Sequence, residues 1–469
     1  MTVPAPGAGR LPDGFAVRLD PRTRRRDGGA TLLGGSPLRL LRLAPRARTL
    51  LAGDRLAVRD AVSAQLAARL LDAGLAHPEP GPSPEPDVTV VVPVRDRPAA
   101  LARLLAALAG DPATAALPVV VVDDGSAEPV ASAGAARVVR HPVPRGPAAA
   151  RNSGLAAATT AFVAFLDSDC VPRPGWLDAL LPHLADPSLA AVAPRIVPLP
   201  GARRGWVSPY EDLASALDMG PRPAAVRPSS AVSYVPSAAL LVRRAAVGSG
   251  FDEAMRVAED VDLVWRLTAA GWRVRYEPAA EVAHEHPAAL AEWLRRRAFY
   301  GTGAALLAQR HGAAVSPLVI APETGLTWAL LLAGGRPGRL AALGLLGATA
   351  VRLTRRLRRP GERAPVGLAA ALTARGLVAS GRSLAGTATR HHWPLSLVAA
   401  VVSRRARRGL GAVALADGLL TWWPRRGRIG PVRHTVARRL EDLAYGGGLW
   451  LGVLRARDVR ALLPVRPPS

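Results

Sequence analysis

The segment Ala161-Phe-Val-Ala-Phe-Leu-Asp-Ser-Asp169 carries the pattern that decides the fold, an apolar run that ends in two carboxylates. Two similar apolar runs precede it, Val88-Thr-Val-Val-Val-Pro93 and Val119-Val-Val-Val122, and helices are predicted between the runs over Pro98–Ala109 and Ala148–Ala157. Continuous apolar strands that alternate with amphipathic helices are typical of parallel strands buried on both faces. The sequence therefore predicts an α/β domain.

Polar residues follow each of the three runs: Arg95-Asp-Arg97, Asp123-Asp-Gly-Ser126 and Asp167-Ser-Asp169. Ligands of such sheets bind at the carboxyl ends of the strands, where these clusters are expected to meet. Asp123 and Asp124 are candidates to accept hydrogen bonds from a base or a ribose. An Asp-Gly β-turn explains the same residues structurally, and the two interpretations are compatible. Pro93 and Arg95 stand at the first strand end as further candidates for ligand contact.

The two carboxylates of Asp167-Ser-Asp169 are predicted to form a site for a hard cation. Residues i and i+2 of a strand project to one side, so both side chains would face one ligand. Mg²⁺ or Mn²⁺ is commonly bound by one or two carboxylates together with phosphate oxygens. The alternative is an acidic turn that is solvated or caps a helix, and so short a motif is not specific on its own.

The run Arg145-Gly-Pro-Ala-Ala-Ala-Arg-Asn-Ser-Gly154 predicts a glycine turn that leads into a helix. An arginine on such a helix can bind phosphate, which makes Arg151 a candidate for binding a phosphate group of the ligand. Packing at the surface is the alternative, and it applies more to Arg145 than to Arg151.

Acidic residues reappear at Glu259-Asp260, at the start of a short predicted helix that ends near Gly271. The helix macrodipole alone would explain acidic residues in a first turn. The functional interpretation is that Asp260 is a general base that takes a proton from an acceptor hydroxyl, with Glu259 beside it on the acceptor side.

His284-Glu-His286 and the segment Trp293–Gly303 supply a possible metal or phosphate ligand and a basic stretch. His284 is the candidate ligand, and Arg296 is a candidate for contact with the diphosphate or the acceptor. A lone His-x-His pair is weak evidence for a metal, because both residues can be ordinary loop residues.

Composition divides the chain into four parts. They are a small α+β module (1–77), a Pro-rich linker (78–86), the α/β region (87–310) and a region of apolar blocks separated by arginine clusters (311–469). In the first part, strands are predicted over Phe15–Leu19 and Ala30–Leu33, and a helix over Ala57–Ala68.

The last part contains a long apolar block, Gly312 to Gly335, that is interrupted by Pro317, Pro322 and Glu323 and does not form a clean membrane span. The shorter blocks that follow have arginines at their ends, which suits helices lying at an anionic membrane surface. An ordinary helical domain with basic edges is the equal alternative.

The chain has 469 residues, one cysteine (Cys170), no lysine and a formal net charge of +25. A single cysteine excludes a disulfide framework and indicates a reducing compartment. The net charge points to a polyanionic partner, yet the abundance of Ala, Arg, Gly and Pro indicates a GC-rich coding sequence that accounts for part of it. The first residues lack the apolar core of a secretory signal, so a cytoplasmic start is expected.

These motifs, in this order, resemble the inverting family-2 glycosyltransferases of the GT-A fold over about Asp87 to Tyr300. The resemblance implies a nucleotide-diphosphate sugar donor, a divalent metal and a single in-line displacement. Its residue roles, transferred to this chain, place Asp124 at the nucleoside, Asp169 and Asp167 at the metal and diphosphate, and Asp260 as base. His284 would meet the metal or the diphosphate. The Gln-x-x-Arg-Trp motif of processive synthases is absent after Asp260, which argues against a long-chain synthase.

A narrower resemblance joins the N-terminal module, the segment from His284 to Gly301 and the arginine-punctuated tail. Together they look like the glycosyltransferases of the actinobacterial mycofactocin system. That resemblance implies a UDP-glucose donor and a peptide-derived redox cofactor as acceptor, which receives a short β-linked glycan. The first module is then similar to small winged-helix-like modules that bind precursor peptides.

Two other functions remain open at this stage. A glycosyltransferase with a lipid or cell-wall acceptor would share the same catalytic residues, and the apolar last region motivates it. A basic protein that binds nucleic acid or a membrane surface would leave the acidic strand ends unexplained, and no specific nucleic-acid partner is expected.

Overall fold

We describe a computed structural model of the chain that covers residues 5–6, 9–79, 81–82, 85–130, 134, 136–358 and 364–467. The chain forms two compact units, Met1–Ala288 and Ala289–Ser469. The first unit contains both the N-terminal module and the central sheet. This partition has two units where composition suggested four parts, and the four-part division stays a prediction.

The N-terminal module consists of two three-stranded antiparallel sheets and two helices. One sheet has the order β5-β1-β6 and the other β2-β3-β4. The elements are β1 (Ala16–Leu19), β2 (Arg24–Arg26), β3 (Thr31–Gly34), β4 (Arg39–Arg42), α1 (Pro45–Leu50), β5 (Arg55–Ala57), α2 (Ala61–Asp72) and β6 (Ala76–Glu79), with a 3₁₀ turn at Asp27–Gly29.

Two expectations for this module are corrected. The helix predicted over Ala57–Ala68 begins at Ala61, because Asp60 caps it by accepting a hydrogen bond from the Ser63 backbone N–H at 2.7 Å. The linker predicted from residue 78 overlaps a regular strand, because Pro78 and Glu79 pair with β1. A proline is tolerated at the edge of a sheet, where its missing N–H leaves no ladder bond unmade. Residues 80, 83 and 84 of that linker lie outside the described residues.

A nine-stranded mixed sheet forms the centre of the first unit, in the order β11-β15-β12-β14-β10-β7-β8-β9, with β13 paired to β15. Its strands are β7 (Val88–Val94), β8 (Val119–Asp123), β9 (Arg137–Arg140), β10 (Phe162–Leu166), β11 (Cys170–Pro172), β12 (Leu189–Pro198), β13 (Ala224–Ala225), β14 (Ala239–Arg243) and β15 (Arg273–His284). Its helices are α3 (Pro98–Gly110), α4 (Pro147–Ala157), α5 (Trp176–Leu180), α6 (Ser208–Ala214), α7 (Arg244–Val247) and α8 (Glu259–Ala269), with a 3₁₀ segment at Leu181–Ala185.

The predicted parallel arrangement is confirmed for β10, β7 and β8, and β9, which the sequence analysis did not predict, continues it. It does not extend across the whole sheet, since β14 lies antiparallel between β10 and β12. The run Ala239-Leu-Leu-Val242 is as apolar as the parallel strands, so hydrophobicity alone does not reveal its direction. The carboxyl ends of β7, β8 and β10 nonetheless meet at one edge, as expected.

The N-terminal module is held to the central sheet by charged hydrogen bonds. The Arg273 guanidinium donates to Asp72 at 2.9 Å and to Asp186 at 2.9 Å. Arg275 on β15 donates to Nδ1 of His77 at 2.9 Å, and Nε2 of His77 lies 2.9 Å from Asp20. Because an arginine only donates, His77 carries its proton on Nε2 in this arrangement.

The second unit is helical. It contains α9 (Leu290–His311), α10 (Pro322–Ala333), α11 (Gly335–Leu357), α12 (Val366–Gly386), α13 (Trp393–Val402), α14 (Arg404–Trp422) and α15 (Pro431–Ala456), with short turns at Gly312–Val315, Thr387–His391, Trp423–Arg425 and Arg460–Leu462. Helices α9 and α15 share a small apolar core. Among the described residues, none of the helices combines the length and the apolar character needed to cross a bilayer.

Candidate active site

The two carboxylates that follow β10 each pair with a different arginine. Strand β10 ends at Leu166, and Asp167-Ser-Asp169 forms a turn in which the Cys170 N–H donates to the Asp167 carbonyl at 2.9 Å. Arg151 donates to Asp167 at 2.6 Å, whereas Arg97 donates to Asp169 at 2.6 Å. Because strand alternation stops where the strand stops, the i, i+2 argument does not apply to these two side chains, and a ligand shared by both stays a prediction.

Asp169 lies close to His284, another residue that the resemblance places at the metal or the diphosphate. His284 ends β15 and pairs with Cys170, which follows Asp169. Its Nε2 lies 3.4 Å from Oδ1 of Asp169, and its Nδ1 has no hydrogen-bond partner among the described residues although it is buried. A carboxylate oxygen and an imidazole nitrogen at this separation fit a divalent cation whose other positions are filled by phosphate oxygens and water. The described residues hold no group of three or more His, Cys, Asp or Glu arranged around a metal.

Asp123 is a structural residue at the end of β8. Its buried carboxylate accepts hydrogen bonds from the backbone N–H groups of Ser126 at 2.9 Å and Val130 at 3.1 Å, and from Arg140. Burial would raise the pKa of Asp123, but the hydrogen bonds from Ser126, Val130 and Arg140 hold that pKa below its ordinary value. Asp123 therefore shapes the Asp-Gly turn that the sequence predicted.

Asp124 anchors the loop that leads into α4. Its Oδ1 accepts from the Arg145 N–H at 2.8 Å and faces Nδ1 of His141 at 2.8 Å, and its Oδ2 accepts from the Gly146 N–H at 2.8 Å. Nε2 of His141 lies 2.9 Å from the Ser153 hydroxyl. A carboxylate has about four acceptor positions, so these three contacts leave room for one more donor.

The other residues predicted to bind the donor lie at the same edge but are more exposed. Pro93 is the penultimate residue of β7, and Arg95 is exposed with its Nε 3.4 Å from Asp96. The Arg145 guanidinium donates to Glu253 at 2.8 Å at the surface. Arg296, in contrast, is on α9 in the second unit, so it is not among the residues that the first unit brings together.

Arg151 is buried and does not reach toward solvent. It is on α4, and only 5% of its side chain is exposed. It donates to Asp167 at 2.6 Å and to Glu259 at 2.9 Å, and its guanidinium lies 5.5 Å from the centre of the Phe251 ring. Burial would lower the pKa of Arg151, but the Asp167 and Glu259 carboxylates raise it. Arg151 thus joins the end of β10 to the start of α8.

Asp260 lies in the first turn of α8, beside Glu259. The helix starts after Ala258, whose φ of 61° is in the left-handed region. Oδ1 of Asp260 accepts from the Val261 N–H at 2.8 Å, and Oδ2 accepts from the Ser237 N–H at 3.2 Å. Burial, and then the neighbouring Glu259 carboxylate, raise the pKa of Asp260 to about 7, whereas Arg151 opposes the shift. A half-buried carboxyl group with this pKa can accept a proton near neutral pH.

Sequence reasoning did not single out three residues that shape this site. Arg97 was part of the run Arg95-Asp-Arg97, but nothing in the sequence showed that it would pair with Asp169. His141 precedes the Arg145 turn without any motif. Ser237 contributes only its backbone N–H, which every residue except proline has, so no sequence signal could have identified it.

Comparison with known proteins agrees with this geometry. Residues 89–247 match the family model described as glycosyl transferase family 2. The chain is 52% identical over 473 residues to the pre-mycofactocin glycosyltransferase of Mycobacterium tuberculosis, and the match covers 97% of this chain and 99% of that protein. It is also 35% identical over 130 residues to the N-acetylglucosaminyl-diphospho-decaprenol L-rhamnosyltransferase of the same species, which is 24% of this chain and 38% of that protein.

Two solved structures show a partial likeness. The mannosyltransferase PcManGT from Pyrobaculum calidifontis, in complex with GDP-Man and Mn²⁺, is 20% identical with a TM-score of 0.39, and the match covers 78% of this chain and 90% of that one. GalNAc-T7 with UDP, GalNAc and Mn²⁺ is 14% identical with a TM-score of 0.35, covering 49% of this chain and 52% of that one.

With the family match and the nearly full-length relative, the chain belongs to glycosyltransferase family 2 and, within it, to the pre-mycofactocin glycosyltransferases.

Proposed function

We propose that this glycosyltransferase transfers glucose from UDP-glucose to a peptide-derived redox cofactor of the mycofactocin type, with inversion at the anomeric carbon. The nearly full-length relative supports the acceptor class. The observation that carries the mechanism is the position of Asp260 in a helix first turn, with a pKa raised to about 7.

The reaction is a single in-line displacement. The oxygen of an acceptor hydroxyl forms a bond to the anomeric carbon, the bond from that carbon to the diphosphate oxygen breaks, and UDP carries away the electron pair. Asp260 receives the hydroxyl proton. Holding donor and acceptor in line supplies much of the rate, and no covalent intermediate on the protein is needed.

Donor binding is assigned to the three strand ends. The free acceptor position of Asp124 is available to an N–H of the nucleobase, and Pro93 and Arg95 lie at the neighbouring strand end. Asp169 and His284 would hold a divalent cation, Mg²⁺ or Mn²⁺, which would neutralise charge on the departing diphosphate. Asp167 keeps 30% of its side chain exposed and is placed at the donor side with Arg151 behind it. Arg296 remains a candidate for the acceptor side.

The first test is calorimetric titration of the full chain with UDP, with and without Mn²⁺, beside the same titration with GDP. We expect UDP binding that is stronger than GDP binding and that depends on the metal. Turnover of UDP-glucose with a pre-mycofactocin acceptor should then give a β-linked product, as read from the anomeric proton coupling. A folded protein that binds neither nucleotide would contradict the proposal.

A lipid or cell-wall acceptor is the second candidate, and the exposed apolar side chains of the second unit favour it. Acceptor chemistry separates the two candidates, since a lipid-linked product partitions into organic solvent and a glycosylated redox cofactor stays in water.

A further inference from the structure

The helices α10 to α14 are packed with small residues inside and large ones outside. The buried residues of these five helices are Thr327, Gly338, Ala342, Ala369 and Gly418. None of them is larger than threonine. No leucine or valine of these five helices is buried.

Two contacts show how closely the helices approach. A Cβ added at Gly418 would lie 2.6 Å from Cγ2 of Thr435, and one added at Gly381 would overlap the ring of Trp328. Glycine is needed at both positions because any side chain would push the neighbouring helix away. The helices therefore approach closely at these two glycines, one of which receives the Trp328 ring of α10.

The large apolar side chains of the same helices are exposed. Val402 is 81% exposed, Leu332 78%, Val401 72% and Leu340 71%. Helix α13 is the clearest case, since it has no buried residue at all. Scattered exposed leucines are normal on a protein surface, but a whole group of helices that expose them marks an interaction site.

The charged residues of α10 to α14 and their connections are nearly all basic. Helices α10 to α14 and their connections, residues 322–422, are about a fifth of the chain, yet they contain three of its 36 acidic residues, Glu323, Glu362 and Asp417, together with 15 arginines. A GC-rich coding sequence would raise arginine throughout but would not remove acidic residues from this segment alone. The arginines stand at helix ends, as in Arg404-Arg405-Ala-Arg407-Arg408 directly after α13. Trp423 lies in the turn after α14 under Arg426, at 4.6 Å from its guanidinium.

We propose that α10 to α14 dock on the surface of an anionic lipid bilayer. The exposed valines and leucines enter the interface, and the arginines bind the lipid headgroups. Tryptophan is enriched at the membrane–water interface, so Trp423 at the end of α14 suits the same location. A second copy of this chain is a poor occupant, because it would bring a like-charged, acid-depleted face into contact with this one. Docking does not depend on the proposed reaction.

The experiment is co-flotation of the full chain with vesicles of phosphatidylglycerol and phosphatidylcholine, compared with phosphatidylcholine alone. We expect binding to the anionic vesicles that weakens as salt is raised, because counterions screen exposed charges. Two variants test the two contributions, R404Q/R405Q/R408Q for charge and V401D/V402D for apolar insertion. Each should lower the vesicle affinity at least about 10-fold.

Matched variants in the N-terminal module supply the controls. R24Q/R26Q/R39Q removes three exposed arginines, and V62D/L38D adds two carboxylates at exposed apolar positions. Both should bind vesicles as the unaltered chain does, and circular dichroism melting checks that every variant is folded. The proposal is overturned if the unaltered chain does not bind anionic vesicles, or if the test and control variants lose affinity equally. It is also overturned if V401D/V402D abolishes a dimer instead of vesicle binding.

Discussion

Nη1 of Arg151 lies 2.9 Å from Oε1 of Glu259, although 108 residues separate the two along the chain. The same guanidinium donates to Asp167, so one buried cation connects the acidic turn after β10 with the acidic start of α8. Whatever displaces Arg151 therefore disturbs both the donor side and the base side of the site.

Arg151→Met should destabilise the protein by about 3–5 kcal/mol, because it leaves Glu259 buried without its cation. Urea unfolding measures the change. The double variant R151M/E259Q removes both charges and should recover part of the stability. Equal stability of the single and double variants would show that a Glu259 left without its cation carries no penalty, which contradicts the stated cause.

Asp260→Asn should lower kcat by roughly 10²- to 10⁴-fold, because the amide cannot take the acceptor proton. UDP affinity should stay close to that of the unaltered protein, since Asp260 is assigned to the acceptor side. Initial rates and calorimetry on the same sample separate the two effects. A variant that turns over normally would remove Asp260 from the mechanism.

The pH dependence follows from the raised pKa of Asp260. The base works only when ionised, so kcat/KM, which reports the pKa values of the free enzyme, should rise with pH up to about 7 and then level off. Stability should change in the opposite direction. A folded-state pKa above the unfolded value means that the folded protein holds the extra proton, so this group's contribution to stability falls as pH rises from about 4 to 7. Asp260→Asn should therefore raise Tm at pH 8 relative to the unaltered protein and not at pH 4.

Asp169→Asn should abolish the Mn²⁺ dependence of UDP binding, because it removes a carboxylate from the cation site proposed at Asp169 and His284. Asp167→Asn should have a smaller effect on metal dependence, since the Asp167 carboxylate pairs with Arg151. Calorimetric titration with UDP across Mn²⁺ concentrations measures both. Identical losses in the two variants would indicate that both carboxylates bind the metal after all.

His141 should position Asp124 for the nucleobase. Asparagine places its amide nitrogen near the position of Nδ1, so His141→Asn should keep the contact to Asp124 and most of the UDP affinity. Glutamine reaches toward Ser153 instead, and His141→Gln should lower UDP affinity by about 10-fold. Equal affinities for the two variants would mean that the Asp124 contact does not matter for binding.

The sequence by itself determined the local elements and the order of the motifs. The runs Val88–Pro93, Val119–Val122 and Ala161–Leu166 agree with β7, β8 and β10 to within about one residue at each end. Strong apolar runs bounded by polar residues need no distant partner to be recognised, because burial of a strand depends on its own side chains. The carboxylates that follow them were therefore found without the structure.

Only the tertiary structure decided which charges pair. Asp167 and Asp169 are two residues apart yet face Arg151 and Arg97 from different elements. The direction of β14 and the exposure of large apolar side chains on α10 to α14 also depend on contacts between distant segments. Side-chain pairing depends on distances across the fold, and a linear pattern of residue types does not contain those distances.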